Sequence, residues 1–148
     1  MEISTKYFNE VSIAKDSILT FEKGIPGFED FKRYVLINFE LGSDDLMCLQ
    51  SLDEKELAFV LVNPFNLKAD YAPSLTEEDV DELGITDSTE GVFCYAICSI
   101  KDNINENTVN LKSPIVVNPD TMRAKQIVLD SNEYAVRHEF KQFIKEAV

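Results

Sequence analysis

The sequence is short of the groups on which enzyme active sites and metal sites depend. Its 148 residues include one histidine, three cysteines and no tryptophan. A nucleophilic serine or cysteine needs a neighbouring base, and His138 lies in a charged stretch that is typical of a surface. The odd cysteine count argues against a disulfide framework, and a zinc site at Cys94 and Cys98 could add only Cys48 and His138. We therefore expect no enzymatic activity, no metal and no cofactor.

Motifs for nucleotides, membranes and secretion are also missing. The chain has no GxxxxGK[ST] loop and no GxGxxG after a predicted strand, so nucleotide binding has no anchor. Its apolar runs fall far short of the ~20 residues of a membrane span. The start, MEISTKYFNE, lacks the basic and apolar regions of a secretory signal. Free thiols are typical of a reducing cytosol, so we expect a cytoplasmic protein.

Basic residues are scarce. The chain has 14 of them against 27 acids, which gives a net charge of −13. Such a chain repels phosphate backbones and anionic lipid surfaces, so we expect no direct binding to nucleic acid or membrane. The charge is compatible with a basic protein partner, although solubility alone would also explain it. It favours a monomer when the protein is free.

Short apolar segments dominate what the sequence does contain. They are rich in Val, Ile, Phe and Tyr and are separated by turn residues, which predicts an antiparallel β-barrel or sandwich. The absence of repeats and linkers predicts a single domain over residues 1–148, with a charged tail at about 138–148. Asp53-Glu54-Lys55 reads as a hairpin loop. The predicted strands are Ile3–Phe8, Ser17–Phe21, Tyr34–Phe39, Met47–Leu52, Leu57–Val62, Gly91–Ile100, Val109–Leu111, Ile115–Asn118 and Lys125–Leu129.

One of these segments is apolar on both faces. Side chains alternate along a strand, so residues 94, 96, 98 and 100 share one face and residues 93, 95 and 97 share the other. A strand that is covered on both sides belongs at the centre of the fold. We therefore place this segment centrally and expect Cys94 and Cys98 to be buried and inert on the same face.

One helix is predicted at about residues 75–83. Ser74 can cap it, and Glu77, three residues later, completes a capping box. Gly84 follows the end of the helix. In the tail, apolar residues from Val136 to Ala147 fall near helical spacing. Residues 129–134 could form a hairpin, and we favour that hairpin followed by a short helix from about His138.

Two loops have specific backbone requirements. Pro26 and Gly27 fit the two central positions of a type II turn, with Ile25 and Phe28 beside them, so the turn is either a rigid corner or a presentation loop. In the second loop, Asn63 and Pro64 end a predicted strand. Phe65 follows as either a core residue or an exposed contact, and its residue type favours the core.

The predicted helix carries five acids in six positions, which form either a solvated face or a docking surface for a basic partner. These acids are Glu77, Glu78, Asp79, Asp81 and Glu82.

Three stretches together resemble the FliW family of bacterial flagellar assembly factors. They are GIPGFEDF at residues 24–31, LQSLDEKELAFVLVNPF at 49–65 and NTVNLKSPIVVNPDTMRAKQIVLDSNEYAVRHEF at 107–140. The resemblance runs from about Ile3 to Phe140. The residues that carry it as structural positions are Gly24, Pro26, Gly27, Gln50, Ser51, Asn63, Pro64, Asn110, Pro114, Asn118 and Arg137.

The resemblance implies a mostly-β, barrel-like fold without enzymatic activity, and two protein partners. Members of this family bind flagellin before its export, and they bind CsrA, a small RNA-binding repressor of translation. The partners compete, so that export of flagellin frees the factor to capture CsrA and flagellin translation resumes. The rivals are a dedicated flagellin chaperone without a regulatory arm, and a small enzyme that uses two carboxylates about 5 to 9.5 Å apart.

The expected partner contacts follow from chemistry. An RNA-binding repressor carries basic surface, so the five helix acids are the candidate site for CsrA. The terminal segments of flagellin are amphipathic helices, which bind in apolar grooves. Phe65, Ile25 and Phe28 are the candidate contacts for them.

Overall fold

The computed structural model describes residues 1–40, 45–102 and 106–143. Within these ranges the chain forms eleven strands, two α-helices and two single 3₁₀ turns at Lys15–Ser17 and Phe140–Gln142. The helices are α1 (Pro64–Leu67) and α2 (Glu77–Leu83). The strands are β1 (Glu2–Ser4), β2 (Glu10–Ser12), β3 (Leu19–Thr20), β4 (Arg33–Asn38), β5 (Leu46–Ser51), β6 (Ala58–Val62), β7 (Phe93–Ser99), β8 (Thr108–Val109), β9 (Ile115–Asn118), β10 (Arg123–Gln126) and β11 (His138–Glu139).

Seven of the strands close into a barrel, which confirms the predicted fold class. Their order is β7-β6-β5-β4-β3-β10-β9, and β9 returns to pair with β7. The pair β3–β10 is parallel and the other neighbours in the ring are antiparallel. Beyond the β9 pairing, the same edge of β7 holds β8, which in turn holds β11. The β1–β2 hairpin forms a separate small sheet.

Two hydrophobic clusters lie on opposite sides of the barrel wall. The inner cluster fills the barrel and includes Leu19, Tyr34, Leu49, Leu61 and Ile115. The outer cluster lies between the outside of the wall and a covering layer made of α1, α2 and the segment that follows β10. It includes Tyr71, Leu83, Ala96, Cys98, Val109, Leu111, Val116, Ile127 and Tyr134.

The strand β7 separates the two clusters, as predicted from its two apolar faces. Tyr95 and Ile97 pack against the inner cluster, whereas Cys94, Ala96 and Cys98 belong to the outer one. The central placement and the shared face of the two cysteines are therefore confirmed.

Each of the nine predicted strand segments overlaps an observed strand. The largest difference is at Ile3–Phe8, where the strand ends at Ser4 because a tight turn begins at Thr5. The Thr5 amide donates to the Asn9 carbonyl at 2.7 Å, and Asn9 has a φ of 58°. Strands β2 and β11 were not predicted, since two or three residues carry too little periodicity to be recognised.

Helix α2 begins two residues later than predicted. Its cap is Thr76 and not Ser74, and the capping box is completed by Asp79 and not Glu77. Both boxes fit the sequence pattern, but Asp79 is buried and also bonds Lys125 at 2.6 Å, which favours the second. Gly84 ends the helix in the left-handed region, as predicted.

The tail differs from both predictions made for it. Residues 129–134 form a turn without strand pairing. The Leu129 amide donates a hydrogen bond to the Lys112 carbonyl at 2.9 Å, which holds the start of this turn. The predicted helix from His138 is instead the short strand β11, followed by one 3₁₀ turn. His138 pairs with Val109 of β8, which explains the strand. This pairing provides partners for backbone groups, whereas the first N–H groups of a helix would have no hydrogen-bond partner within the helix. Residues 144–148 lie outside the described ranges.

Candidate interaction surfaces

The turn at residues 24–28 has the geometry predicted for it. The Phe28 amide donates to the Ile25 carbonyl at 2.7 Å, and Gly27 has a φ of 90°, as position i+2 of a type II turn requires. Gly24 has a φ of 70°, and a Cβ there would lie 2.6 Å from the Cα of Glu29, so only glycine fits.

The two apolar residues of this turn have different environments. Ile25 is buried in the inner cluster and cannot reach a partner, which corrects its place among the candidate contacts. Phe28 is exposed and packs edge-on against Phe59, with ring centroids 5.5 Å apart. The turn is thus fixed to the barrel from inside, and it presents one aromatic ring.

At the end of β6, the predicted turn is a one-turn helix. The Asn63 side chain accepts a hydrogen bond from the Phe65 amide at 2.9 Å, and Pro64 occupies the first turn, where its missing N–H costs nothing. This geometry points Phe65 outward with 42% of its surface exposed. The preference for a core position was therefore wrong, and Phe65 is an exposed apolar residue that leans on Tyr71.

Beside Phe65 lies an apolar groove that was not predicted. The pairing of β6 with β7 ends at Val62 and Ala96, because Pro64 turns the chain into α1. This leaves a groove of about 220 Å³ alongside the start of β7. Its lining is Asn63, Phe65, Val92, Phe93, Cys94 and Tyr95.

The groove continues past Phe93 towards the β9–β10 turn. The second part has a volume of about 340 Å³, shares Val92 and Phe93 with the first, and is otherwise lined by Glu90, Gly91, Pro119 and Asp120. Phe93 is 55% exposed, although it lies on the same face of β7 as Tyr95, which packs against the inner cluster. Phe93 is the first residue of the strand and pairs with Val117 of β9 on one side, whereas on the other side the pairing with β6 has already ended at Ala96. The two connected parts are called the Phe93 groove.

Two of the five acids on α2 are held by lysines of the barrel. Lys125 contacts Asp79 and Glu82 at 2.6 Å each, and Lys23 also pairs with Glu82. Burial by itself would raise the pKa of Asp79, but hydrogen bonds from Lys125 and Thr76 outweigh it and hold that pKa below its usual value. Hydrogen bonds from Lys125 and Lys23 likewise lower the pKa of Glu82. These two acids attach the helix to the barrel, so Asp79 and Glu82 are withdrawn from the candidate contacts.

The other three acids of α2 face solvent. Glu77 and Asp81 are exposed and pair with no cation in the described part of the chain, and Glu78 has only a 3.5 Å contact to Lys23. The exposed acidic surface of α2 is therefore Glu77, Glu78 and Asp81.

The buried polar residues that carry the family resemblance hold loops in place. Gln50 is fully buried and accepts from the Lys6 amide at 3.0 Å, while its amide group donates to carbonyls of the β5–β6 loop. The Ser51 hydroxyl accepts from the amides of Asp53 and Glu54 at 3.1 Å. The Ser51 bonds confirm the predicted hairpin loop. The bond from the Lys6 amide to Gln50 attaches the N-terminal hairpin to the barrel.

The asparagines of the third stretch act in the same way. Asn118 is buried and donates to the carbonyl of Leu83 at 2.9 Å, which fixes the end of α2 to the β9–β10 turn. Asn110 accepts from the Ser113 amide at 2.9 Å, and the carbonyl of buried Pro114 accepts from the Ile127 amide at 3.0 Å. Arg137 is exposed.

The thiols of the three cysteines are held in the protonated form. Burial raises the pKa of Cys48 to about 11 and those of Cys94 and Cys98 to about 12, so these thiols stay protonated. His138 accepts from the Ala135 amide through Nε2 at 2.8 Å. Among residues 1–40, 45–102 and 106–143, no group of three His, Cys, Asp or Glu side chains could hold a metal ion.

Acids that line the described grooves are exposed, including Glu90, Asp120, Glu77, Asp81, Glu54 and Glu56. The general acid of a glycosidase lies in an apolar environment that excludes water, whereas these carboxylates are exposed to solvent. The geometry therefore offers surfaces for binding. In the described ranges, no helix is long and apolar enough to cross a membrane.

Comparison with known proteins identifies one family. The family model described as "FliW protein" matches residues 2–140. The "Flagellar assembly factor FliW" of Ruminiclostridium cellulolyticum is 40% identical over 93% of both chains, and that of Lachnospira eligens is 34% identical over 98% of this chain and 97% of its own. A crystal structure of the flagellar assembly factor FliW superposes with a TM-score of 0.87 at 32% identity, covering the whole of both chains. This chain therefore belongs to the FliW family of flagellar assembly factors.

Proposed function

We propose that this protein binds flagellin in the cytoplasm before export and, when flagellin is absent, binds CsrA and relieves its repression of flagellin translation. One observation supports two partners in particular. The outer layer exposes two surfaces of different chemistry, the apolar Phe93 groove and the acidic surface of α2. An amphipathic helix suits the first and a basic protein suits the second.

The dual role is tested by following CsrA on its RNA. Purified CsrA is bound to a labelled leader of flagellin mRNA, and this protein is then added, followed by flagellin in excess. We expect this protein to release the RNA and flagellin to restore the CsrA–RNA complex. If flagellin binds but the RNA is never released, the protein is a chaperone without a regulatory arm.

That narrower role is the second candidate, and a specific observation favours it. Two of the five acids first considered for CsrA are engaged by Lys23 and Lys125. The acidic surface that remains is small, and steering of a basic partner depends on the number of uncompensated charges.

Charge reversal on α2 tests the CsrA surface directly. Replacing Glu77, Glu78 and Asp81 by lysine should weaken CsrA binding about tenfold or more at low salt, and less at high salt, because salt screens exposed charges. The measurement is affinity by calorimetry at two ionic strengths.

A matched control separates this surface from net charge. Reversing Asp16, Asp30 and Asp130, which are also exposed acids, changes the net charge equally without touching α2. CsrA affinity that falls equally in both triple variants would assign the effect to overall charge. Affinity that is unchanged in the α2 variant at every salt concentration would remove α2 from the proposal.

A further inference from the structure

We infer that the Phe93 groove is the docking site for flagellin, and that it takes a short amphipathic segment whose apolar face is flanked by basic residues. This inference rests on the proposed function, because flagellin is the partner assigned there. It names the surface and the chemistry of the segment.

The apolar part of the argument is the exposure of three side chains on one surface. Phe93, Phe65 and Val92 are 55%, 42% and 36% exposed, and all three line the same groove. Contiguous apolar side chains on the surface of a soluble protein mark interaction sites. Aromatic residues are the side chains that most often dominate binding energy at such sites.

The groove is a built feature of the fold. Asn63 and Pro64 end β6 and start α1, so the pairing of β6 with β7 stops at Val62 and Ala96, and the groove opens beside the start of β7. On its other edge the same stretch of β7 is paired with β9, which makes the floor rigid. A rigid floor with a prepared opening lowers the ordering cost of binding.

The acidic residues along the groove favour basic residues beside the apolar face of the bound segment. Glu90 and Asp120 line the part nearest the β9–β10 turn, and no basic residue lines either part within the described chain. Lysine or arginine next to the apolar face of the bound segment would meet these carboxylates, whereas acidic flanks would be repelled. The occupant is therefore amphipathic and basic at its edges.

The experiment measures the affinity of purified monomeric flagellin for the wild type and for a set of variants. Phe93→Ala should lower the affinity about tenfold or more, and Phe65→Ala should lower it less, because Phe65 lies at one end of the groove. The matched control is Ile100→Ala, which removes an equally exposed apolar side chain just past the other end of β7. That variant should bind within about twofold of the wild type.

The charge arm uses Glu90→Lys and Asp120→Lys, both at exposed positions. Each should weaken flagellin binding severalfold at low salt and much less at high salt. Circular dichroism and thermal unfolding check that the variants are folded. If Phe93→Ala does not fold, the two exposed charge variants decide the question alone.

The outcomes separate the groove from the proposed function. If the wild type binds flagellin and the groove variants bind equally well, or if Ile100→Ala loses as much as Phe93→Ala, the groove is overturned while flagellin binding stands. If the wild type does not bind flagellin, both fail. If the Phe93→Ala loss occurs but neither lysine variant changes the salt dependence, the basic flanks are overturned.

Discussion

The two hydrophobic clusters on either side of β7 are closed in different ways. The inner cluster is enclosed by a ring of seven strands in which every neighbour is joined by backbone pairing. The outer cluster is covered by two short helices and loops. These are attached by the Lys125 ion pairs, by isolated backbone hydrogen bonds such as that from the Leu129 amide to the Lys112 carbonyl, and by side-chain hydrogen bonds. Examples are Tyr71 to the Leu111 carbonyl at 2.7 Å and Asn118 to the Leu83 carbonyl at 2.9 Å.

The difference separates a scaffold from a working surface. Strands joined by continuous backbone pairing open at high free energy, whereas a layer held by isolated contacts can open locally at lower free energy. The proposed contact residues Phe65, Glu77, Glu78 and Asp81 all belong to the outer layer. Phe93 lies where that layer meets the barrel rim. Function in this fold is therefore expected to depend on the layer and stability on the ring.

The largest expected effect is a matched pair of leucine truncations. Leu61 in the inner cluster and Leu83 in the outer cluster are both fully buried. Leu61→Ala should lower the free energy of unfolding by about 4 kcal/mol, because paired strands cannot move into the cavity. Leu83→Ala should cost about 2.5 kcal/mol, because α2 can settle over it. Urea unfolding measures both values.

Hydrogen exchange adds the spatial part of this prediction. In Leu83→Ala, faster exchange should be confined to α2 and the β9–β10 turn, while in Leu61→Ala it should spread around the ring. Equal losses of stability with equally widespread exchange would show that the two clusters form one cooperative unit.

The sequence predicted the ring better than the layer. Apart from β3 and β10, strands of the ring have four to seven residues of alternating or continuous apolar character, and that periodicity is a local signal. The closure of β9 onto β7 could not be predicted, because strand pairing across the chain depends on the whole arrangement. Thr76 replaced Ser74 as the cap of α2 for the same reason, since the choice depends on Lys125, 46 positions away from Asp79.

The candidate sites show the same limit. Helix α2 and the turn at Gly24 were recognised from local motifs, and their exposed residues are available as expected. The exposure of Phe93 was missed because its position in the alternation of β7 predicts an inward side chain. Only the end of β6 at Val62 shows that the neighbouring strand on one side no longer covers it. The apolar sequence Gly91-Val92-Phe93 at the start of the strand carried no signal by which an exposed residue could be told from a buried one.

Removing the cation that attaches α2 to the barrel should lower stability by an intermediate amount that depends on pH. Lys125→Met removes the cation between Asp79 and Glu82 and should cost about 1.5 kcal/mol at neutral pH, since the pair is partly buried. Both carboxyls have pKa values held below their usual 3.8 and 4.5. A lowered pKa stabilises the fold above the unfolded value, and that stabilisation is lost as pH falls through the folded value.

The difference between wild type and Lys125→Met should therefore be full at pH 7, begin to shrink as pH falls to 4.5, and be smaller again at pH 3. Urea unfolding at these three pH values measures it. Lys23→Met is the control, because Lys23 is exposed and should cost much less. A difference that stays constant with pH would show that the methylene stem of Lys125 matters, and not its charge.

The smallest effect contrasts two buried tyrosines, one on each side of β7. The Tyr71 hydroxyl donates to the Leu111 carbonyl, whereas the buried Tyr34 hydroxyl has no hydrogen-bond partner among the described residues. Tyr71→Phe should cost about 1 kcal/mol, the usual net value of one buried hydrogen bond. Tyr34→Phe should cost nothing or stabilise slightly, because it removes a desolvated group that gains no bond. Burial raises the pKa of Tyr34 to about 12, so the hydroxyl is neutral at pH 7 and the change alters no charge.

Urea unfolding of both variants compares the same chemical deletion in the two clusters. A cost at Tyr34 as large as that at Tyr71 would mean that the inner cluster also depends on a polar contact, and the ring could no longer be described as held by apolar packing and backbone pairing alone.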